Sequence, residues 1–280
     1  MSPIHDQSYR HYAGVKAPLG RSWTVIASAG IMTIVRKRVF LAILFVGWVQ
    51  FFGRAIGFYF SNTIQQLSVL SASAETFRSF LEYQGFIVFV ITIYVGAGLI
   101  AQDRRANALQ LYLSKPLLRS EYIVGKLAVL AAFLLLVTMV PALMLLLVQV
   151  VLAGSSGFLK TNTFLIPAIV LASLLQVLLA SVTMLALSSL SKSARFVAIM
   201  YAGVLFFTKA IFGVLYAITG TTAVAWVSPG ENLAQVVDVI FRLKPRYATP
   251  WQVSLLVIIG LVAASVSVLE RRVRGVEVVT

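Results

Sequence analysis

Apolar residues run along this chain in six long blocks separated by short polar segments. A helix needs about 20 apolar residues to cross the hydrocarbon core of a bilayer. Six blocks have roughly that length: residues 39–59, 81–101, 127–152, 164–187, 196–218 and 251–269. The pattern therefore predicts an all-α membrane protein with six transmembrane helices. Ahead of the first block, residues 1–20 are polar and Arg21 to Arg38 is only moderately apolar. Trp23, Ile26, Gly30 and Ile34 recur there at helical spacing, and the segment ends in Arg36-Lys37-Arg38. One apolar face with an aromatic anchor and basic ends suits a helix lying at the membrane surface. An extension of the first span is the second reading. The chain divides accordingly into a tail and interfacial helix over 1–38, a six-helix domain over 39–269 and a second tail over 270–280.

The connections differ in character. Residues 60–80 are rich in Ser, Gln and Ala and are expected to be partly helical, whereas 153–163 is expected to be a short Gly/Ser turn. Residues 219–250 hold helix-start signals in Ser228-Pro229-Gly230-Glu231, then Leu233, Val236, Val237 and Ile240 at helical spacing. Pro245 and Pro250 close that segment. It is expected to form a short extracytoplasmic helix between spans 5 and 6, on or dipping into the outer face of the membrane. Pro141 should kink span 3 by removing a backbone hydrogen bond; a static kink is preferred to a hinge.

Composition agrees with membrane residence. The 280 residues are 60% hydrophobic and 11% charged, with a mean hydropathy of +0.94, against about 25% charged residues in soluble domains. Cysteine is absent, which removes disulfides, thiol nucleophiles and Cys-based metal sites. The net charge of +14 is split among short loops. It therefore points to cytoplasmic loops and lipid headgroups, not to nucleic acid. Sixteen of the 23 Lys and Arg residues fall in the N-terminal segment, the connections after spans 2 and 4, and the C-terminal tail. Basic residues collect on the cytoplasmic side, so both termini are expected there, as an even number of spans requires. Residues 1–20 lack the apolar core and cleavage site of a signal peptide, and His5 and His11 are too few for a metal site.

The most distinctive stretch is Gln102 to Lys126, polar and basic between two apolar blocks. Asp103-Arg104-Arg105 follows span 2. Ala106, Leu109, Tyr112 and Leu113 then give a short helix an apolar side, Lys115-Pro116 breaks it, and Ser120-Glu121 is expected to cap the next helix. Read from the residues alone, this is either a surface helix that meets a partner or an ordinary basic loop that fixes topology. The run resembles the signature loop of type-2 ABC-transporter permeases. Asp103, Arg104, Leu109, Leu113, Ser114, Pro116, Arg119, Glu121, Gly125 and Lys126 match that family's pattern. Asp103 stands where the family usually has Glu, and Asn107-Ala108 where it commonly has Gly-Thr.

The resemblance implies a permease, with export as the expected direction, that works as a dimer with an identical or homologous second permease. Two copies of a cytoplasmic ATP-binding subunit would lie beneath it, in a bacterial or archaeal inner membrane. Asp103, Arg104, Arg105, Leu109, Leu113, Pro116, Arg119 and Glu121 would belong to the segment that couples permease to ATPase. ATP and Mg would be bound by that partner, and the family's transport path runs at the dimer interface along spans 1, 2 and 5. The sequence carries no Gly-x-x-x-x-Gly-Lys-Ser/Thr phosphate loop, so ATP hydrolysis by this chain is not expected. Hydrolase signatures such as Gly-x-Ser-x-Gly and His-Glu-x-x-His are also missing, and no catalytic residue or metal-ligand set is expected. The rival from another class is a polytopic membrane anchor or assembly protein that uses the same basic loop to bind a soluble partner.

Two cations, Arg54 and Lys209, lie inside spans, where a charge is expensive and is a functional candidate. The apolar spans are expected to offer them no acidic partner. Arg54 is placed to snorkel to headgroups; Lys209, nearer mid-span, is open between snorkelling and facing a wet cavity or an anionic substrate group. Unpaired cations point toward anionic or amphipathic cargo. Gly53 and Gly57 form a small-xxx-small pattern that could mark a dimer contact, with packing inside the subunit preferred.

Overall fold

The structure, a computed structural model, describes residues 22–63, 72–108, 118–153 and 157–273. Among these residues it is helical throughout, without strands. Helix α1 is Ser22–Val35 and α2 is Arg38–Thr63. Helix α3, Ala74–Ile91, continues through a π-helical turn at Thr92–Gly96 to the short α4, Ala101–Arg105. Helices α5, Arg119–Val137, and α6, Met139–Leu152, form the third span. The turn expected near 153–163 contains the one-turn helix α7, Gly157–Thr161. Helices α8, Leu165–Leu190, and α9, Ala194–Thr219, are unbroken. A 3₁₀ segment at Thr222–Val227, α10 at Pro229–Ile240 and α11 at Trp251–Arg272 complete the fold. Six helical stretches are long and apolar enough to cross a membrane: Arg38–Thr63, Ala74–Arg105, Arg119–Leu152, Leu165–Leu190, Ala194–Thr219 and Trp251–Arg272. They are numbered spans 1 to 6.

Local chemistry sets several of these boundaries. Ser73 caps α3 by accepting from the Thr76 N–H, and Ser193 caps α9 through the Phe196 N–H. Gly220 ends α9 at φ +66°, and its N–H returns to the Tyr216 carbonyl. That left-handed conformation suits a residue without Cβ. Pro229 starts α10 at its first turn, where its missing N–H costs nothing.

Spans 2, 3 and 4 form the centre, each with at least half of its most apolar window buried within the chain. Spans 1, 5 and 6 bury only 17%, 11% and 22% of theirs and turn most of their surface outward. One cluster of the core joins Phe40, Ile91, Leu130, Phe133 and Met184; another joins Phe58, Phe77, Phe80, Leu145, Leu165 and Phe241. Helix α1 lies along the beginning of span 3. A Cβ on Gly125 would sit 2.9 Å from Ile26, and one on Gly30 would sit 2.6 Å from Val129 Cγ2. Both contacts advance by four residues, so the two helices run in the same direction, and the two glycines let them approach.

Span 3 is interrupted at Thr138 (φ −108°, ψ −73°), three residues before Pro141. Proline has no N–H for the carbonyl four residues earlier, which is that of Val137. Gln84 of span 2, fully buried, donates from Nε2 to this carbonyl at 2.6 Å and to the Gly47 carbonyl of span 1 at 2.8 Å. One amide thus joins three spans at the level of the kink, a common use of polar side chains between membrane helices.

Candidate functional site

The two ends of the distinctive loop are fixed by charged and polar side chains. Asp103 Oδ2 receives Lys126 Nζ at 2.7 Å and the Tyr122 hydroxyl at 2.7 Å. Lys126 also stands over the Tyr122 ring, 5.5 Å from its centroid. These contacts tie the end of span 2 to the start of span 3. Arg104 donates to the Ser189 carbonyl at the end of span 4. Ser188 completes the connection: its hydroxyl accepts from the Ile100 and Ala101 N–H groups at 3.2 and 3.0 Å and donates to the Ala97 carbonyl at 2.9 Å. Between the π-helical turn and α4 the regular ladder of span 2 is broken, so these backbone groups need outside partners. One serine of span 4 supplies them.

Asp103 and Arg104 are therefore brackets at the base of the loop, joining spans 2, 3 and 4. Arg105 and Arg119 are exposed. Leu109, Leu113 and Pro116, with the short helix expected around them, lie outside the described residues. The expected cap at Ser120 is displaced: Leu118 is the N-cap, and Glu121 reaches back to accept from its N–H at 3.1 Å. A carboxylate at the third helical position can satisfy the cap backbone in this way, so Ser120 falls within the first turn.

At the other end of the bundle the structure departs from the sequence reading. Arg54 donates to the Thr76 carbonyl at 2.9 Å and to Ser79 Oγ at 3.1 Å, and its guanidinium lies 5.9 Å from the Tyr83 ring. The start of α3 thus supplies this cation with partners that the sequence reading did not foresee. Lys209 faces an acid after all: its Nζ is 3.6 Å from Glu231 Oε1 on α10. Glu82, moreover, lies within span 2 itself. Outside their own helical neighbours, no atom of the described residues lies within 4 Å of a Cβ added at Gly53 or Gly57. Among the described residues no packing partner inside the subunit meets these glycines.

A charged network there was missed altogether. Arg246, in the segment after α10, donates to Asp238 twice at 2.8 Å and to Glu82 at 2.8 and 3.1 Å. Arg78 adds Glu82 at 2.6 Å, Asp238 at 3.4 Å and Glu75 at 3.5 Å. Asp238 is only 2% exposed, and a buried carboxylate needs such partners. The Tyr247 hydroxyl donates to Glu231 Oε2, while Gln235 holds the backbone of Tyr247 and Thr249. The hydrogen bonds it donates to Asp238 carry the Arg246 guanidinium further above its usual range, despite some burial. Burial first, then the bond to Glu231, pushes the Tyr247 phenol up. The signal for this network was present as Glu75, Arg78, Glu231, Asp238 and Arg246 on connecting segments, with Glu82 at the edge of the second apolar block. No spacing rule joins residues as far apart as Glu82 and Arg246.

A protein-family model described as ABC-2 family transporter protein matches residues 24–272, a range that includes the loop bracket and the charged network. No curated protein matches the chain.

Proposed function

We propose that this chain, which belongs to the ABC-2 family of transporter proteins, is the permease subunit of an ATP-driven exporter whose ATPase is a separate protein. Membership makes it the membrane component of an ABC transporter, and six apolar helices make it a multi-pass membrane protein. On this reading two copies of the ATPase, each holding ATP and Mg²⁺, lie on the cytoplasmic side of a bacterial or archaeal inner membrane. A second permease, identical or homologous, completes the transporter. The concentration of Lys and Arg in the segment after span 2 and at both ends of the chain supports a cytoplasmic location for them. Family membership favours transport over the alternative of a membrane anchor.

The observation that carries the coupling role is the pair of contacts at the base of residues 109–117. Asp103 holds Lys126 and Tyr122 of span 3, and Arg104 holds the Ser189 carbonyl of span 4. A push on the loop would then act on three spans together. Span 2 has its irregular stretch immediately beyond, at Thr92–Gly96 and the residues up to Ala101. A π-helical turn is a place where a helix can bend. Arg105, Leu109, Leu113, Pro116 and Arg119 would meet the ATPase, while Glu121 maintains the first turn of span 3.

The test is co-purification with the ATPase encoded in an adjacent reading frame, followed by ATPase assays in lipid. Replacing Leu109 and Leu113 by Ala should lower the stimulation of ATP hydrolysis to the level of the free ATPase. Arg104→Ala should do the same while leaving the chain folded. Stimulation and assembly that survive all three changes would overturn the coupling role.

A further inference from the structure

A cavity of about 420 Å³ lies between spans 2, 4 and 5 and helix α10, within the range of about 300–1,000 Å³ typical of small-molecule sites. Its walls are apolar: Leu81, Val88, Phe89, Leu179, Val204 and Leu205. Along span 5 the lining runs from Lys209 to Tyr201, eight positions or about 12 Å of helix. It opens sideways past Phe86 and Phe206, which are 68% and 61% exposed. Its lining thus reaches from buried residues of spans 2 and 4 to exposed side chains on the flank of the bundle.

The two ends of the cavity differ. At one end stand Lys209, the first turn of α10 (Ser228 to Glu231), Glu82, Arg78 and Arg246. The two arginines are committed to Glu82 and Asp238 through their short bonds. Lys209 is not: its one ionic partner, Glu231 Oε1, is 3.6 Å away, and the Lys209 side chain is 72% exposed. That is beyond hydrogen-bond length, and Glu231 already receives the Tyr247 hydroxyl. The start of α10 adds the positive end of a twelve-residue helix, and the Ser228 side chain makes no cap bond there. At the other end Thr183, 8% exposed, carries a buried hydroxyl with no hydrogen-bond partner in the described structure.

We infer that this cavity binds a single-chain anionic amphiphile, with its carboxylate or phosphate at Lys209 and the start of α10 and its hydrocarbon tail along the apolar wall toward Thr183. Charge complementarity selects the head. At this end Lys209 is the exposed cation and makes no hydrogen bond among the described residues, and Arg78 Nε also lacks a hydrogen-bond partner, whereas Glu82 and Asp238 already accept from arginines and Glu231 from Tyr247. Shape selects the tail, and the lateral opening allows entry from the bilayer. Treating the ligand as cargo rests on the permease reading; the binding site itself does not.

The test uses the purified full chain in nonionic detergent, without nucleotide, and tritiated palmitate as probe. Palmitate should bind saturably. Dodecyl phosphate should compete and dodecyltrimethylammonium should not. Lys209→Met should weaken binding by about tenfold or more, as loss of a charge-assisted contact does. Gly85→Leu should abolish it, because a side chain there enters the cavity, and an added Cβ meets only Gln176 Nε2 at 3.7 Å. Both variants are checked by gel filtration and thermal unfolding, and the glycine change serves if the lysine change fails to fold. Competition by lysophosphatidylglycerol but not lysophosphatidylcholine assigns the site to a single-chain membrane lipid. Competition by alkyl phosphate alone assigns it to a free amphiphile. Wild-type affinity in both variants, or equal competition by the cationic amphiphile, overturns the site. Failure here leaves the loop assays unaffected, and failure of those assays leaves palmitate binding unaffected, so the two readings fall separately.

Discussion

Gln84 donates its amide at 2.6 Å to the carbonyl of Val137, the one backbone acceptor in span 3 that Pro141 leaves without a helical donor. The proline that bends one span and the glutamine that crosses from another are therefore parts of a single arrangement. Gln84→Leu should lower stability by about 1–2 kcal/mol, since an orphaned buried carbonyl costs more than a bond between two side chains returns. In a Pro141→Ala background the same change should cost less, because alanine at that position supplies an N–H to the Val137 carbonyl. Thermal unfolding of the four proteins in detergent gives the cycle, and equal losses in both backgrounds would refute the link.

The ion pair at the loop base should behave as a coupled unit. Asp103 and Lys126 are each mostly buried, with side chains 19% and 13% exposed. Lys126→Met leaves Asp103 with only Tyr122, and a loss of about 1–3 kcal/mol is expected. Asp103→Asn with Lys126→Met should recover part of that loss, since no charge is then left unpaired. The readout is melting temperature, together with ATPase stimulation, which should fall in the single variant and partly return in the double.

Glycines on the two kinds of helix face should respond in opposite ways. An added Cβ at Gly125 meets the Trp23 carbonyl oxygen at 3.1 Å as well as Ile26 at 2.9 Å. The backbone oxygen cannot turn aside. Overpacking costs about 1–3 kcal/mol, which exceeds the roughly 1 kcal/mol that Ala gains over Gly in a helix. Gly125→Ala should therefore destabilise. Gly53→Ala meets nothing and should be neutral or slightly stabilising in the isolated chain. If Gly53→Ala lowered the melting temperature of the monomer, the open face at this glycine would be wrong.

The charged network around Arg246 should have a measurable alkaline limit. The Tyr247 phenol titrates above its usual range because burial and the bond to Glu231 favour its neutral form. A group whose folded value is raised contributes stability in full below its unfolded value, near pH 10, and loses it as pH rises beyond that. Wild type should lose stability faster than Tyr247→Phe between about pH 10 and 11. Parallel curves for the two proteins would show that the phenol makes no such contribution.

Much of this architecture was legible in the residue order. The apolar blocks 39–59, 164–187, 196–218 and 251–269 coincide to within a few residues with helices in the structure, because apolar length is a local property. Spans 2 and 3 extend seven or eight residues further, through Ala74 and Arg119. Helices continue past the bilayer core wherever a cap such as Ser73 or Glu121 supports them, and hydropathy does not record that. Helix α10 was legible from Pro229 and the stripe Leu233, Val236, Val237 and Ile240. The loop bracket was legible only as a motif: Asp103 and Lys126 were marked, their contact was not.

The sequence by itself determined the number of spans, their class and the family, because crossing a bilayer demands unbroken apolar helices and leaves a one-dimensional record of them. The tertiary structure alone decided which polar groups meet. Gln84 with Val137, Ser188 with Ala97 and Arg246 with Glu82 are pairs far apart along the chain, joined only where packed helices cross. Neither periodicity nor composition encodes such a meeting, since a buried hydrogen bond depends on where two helices touch and at what depth.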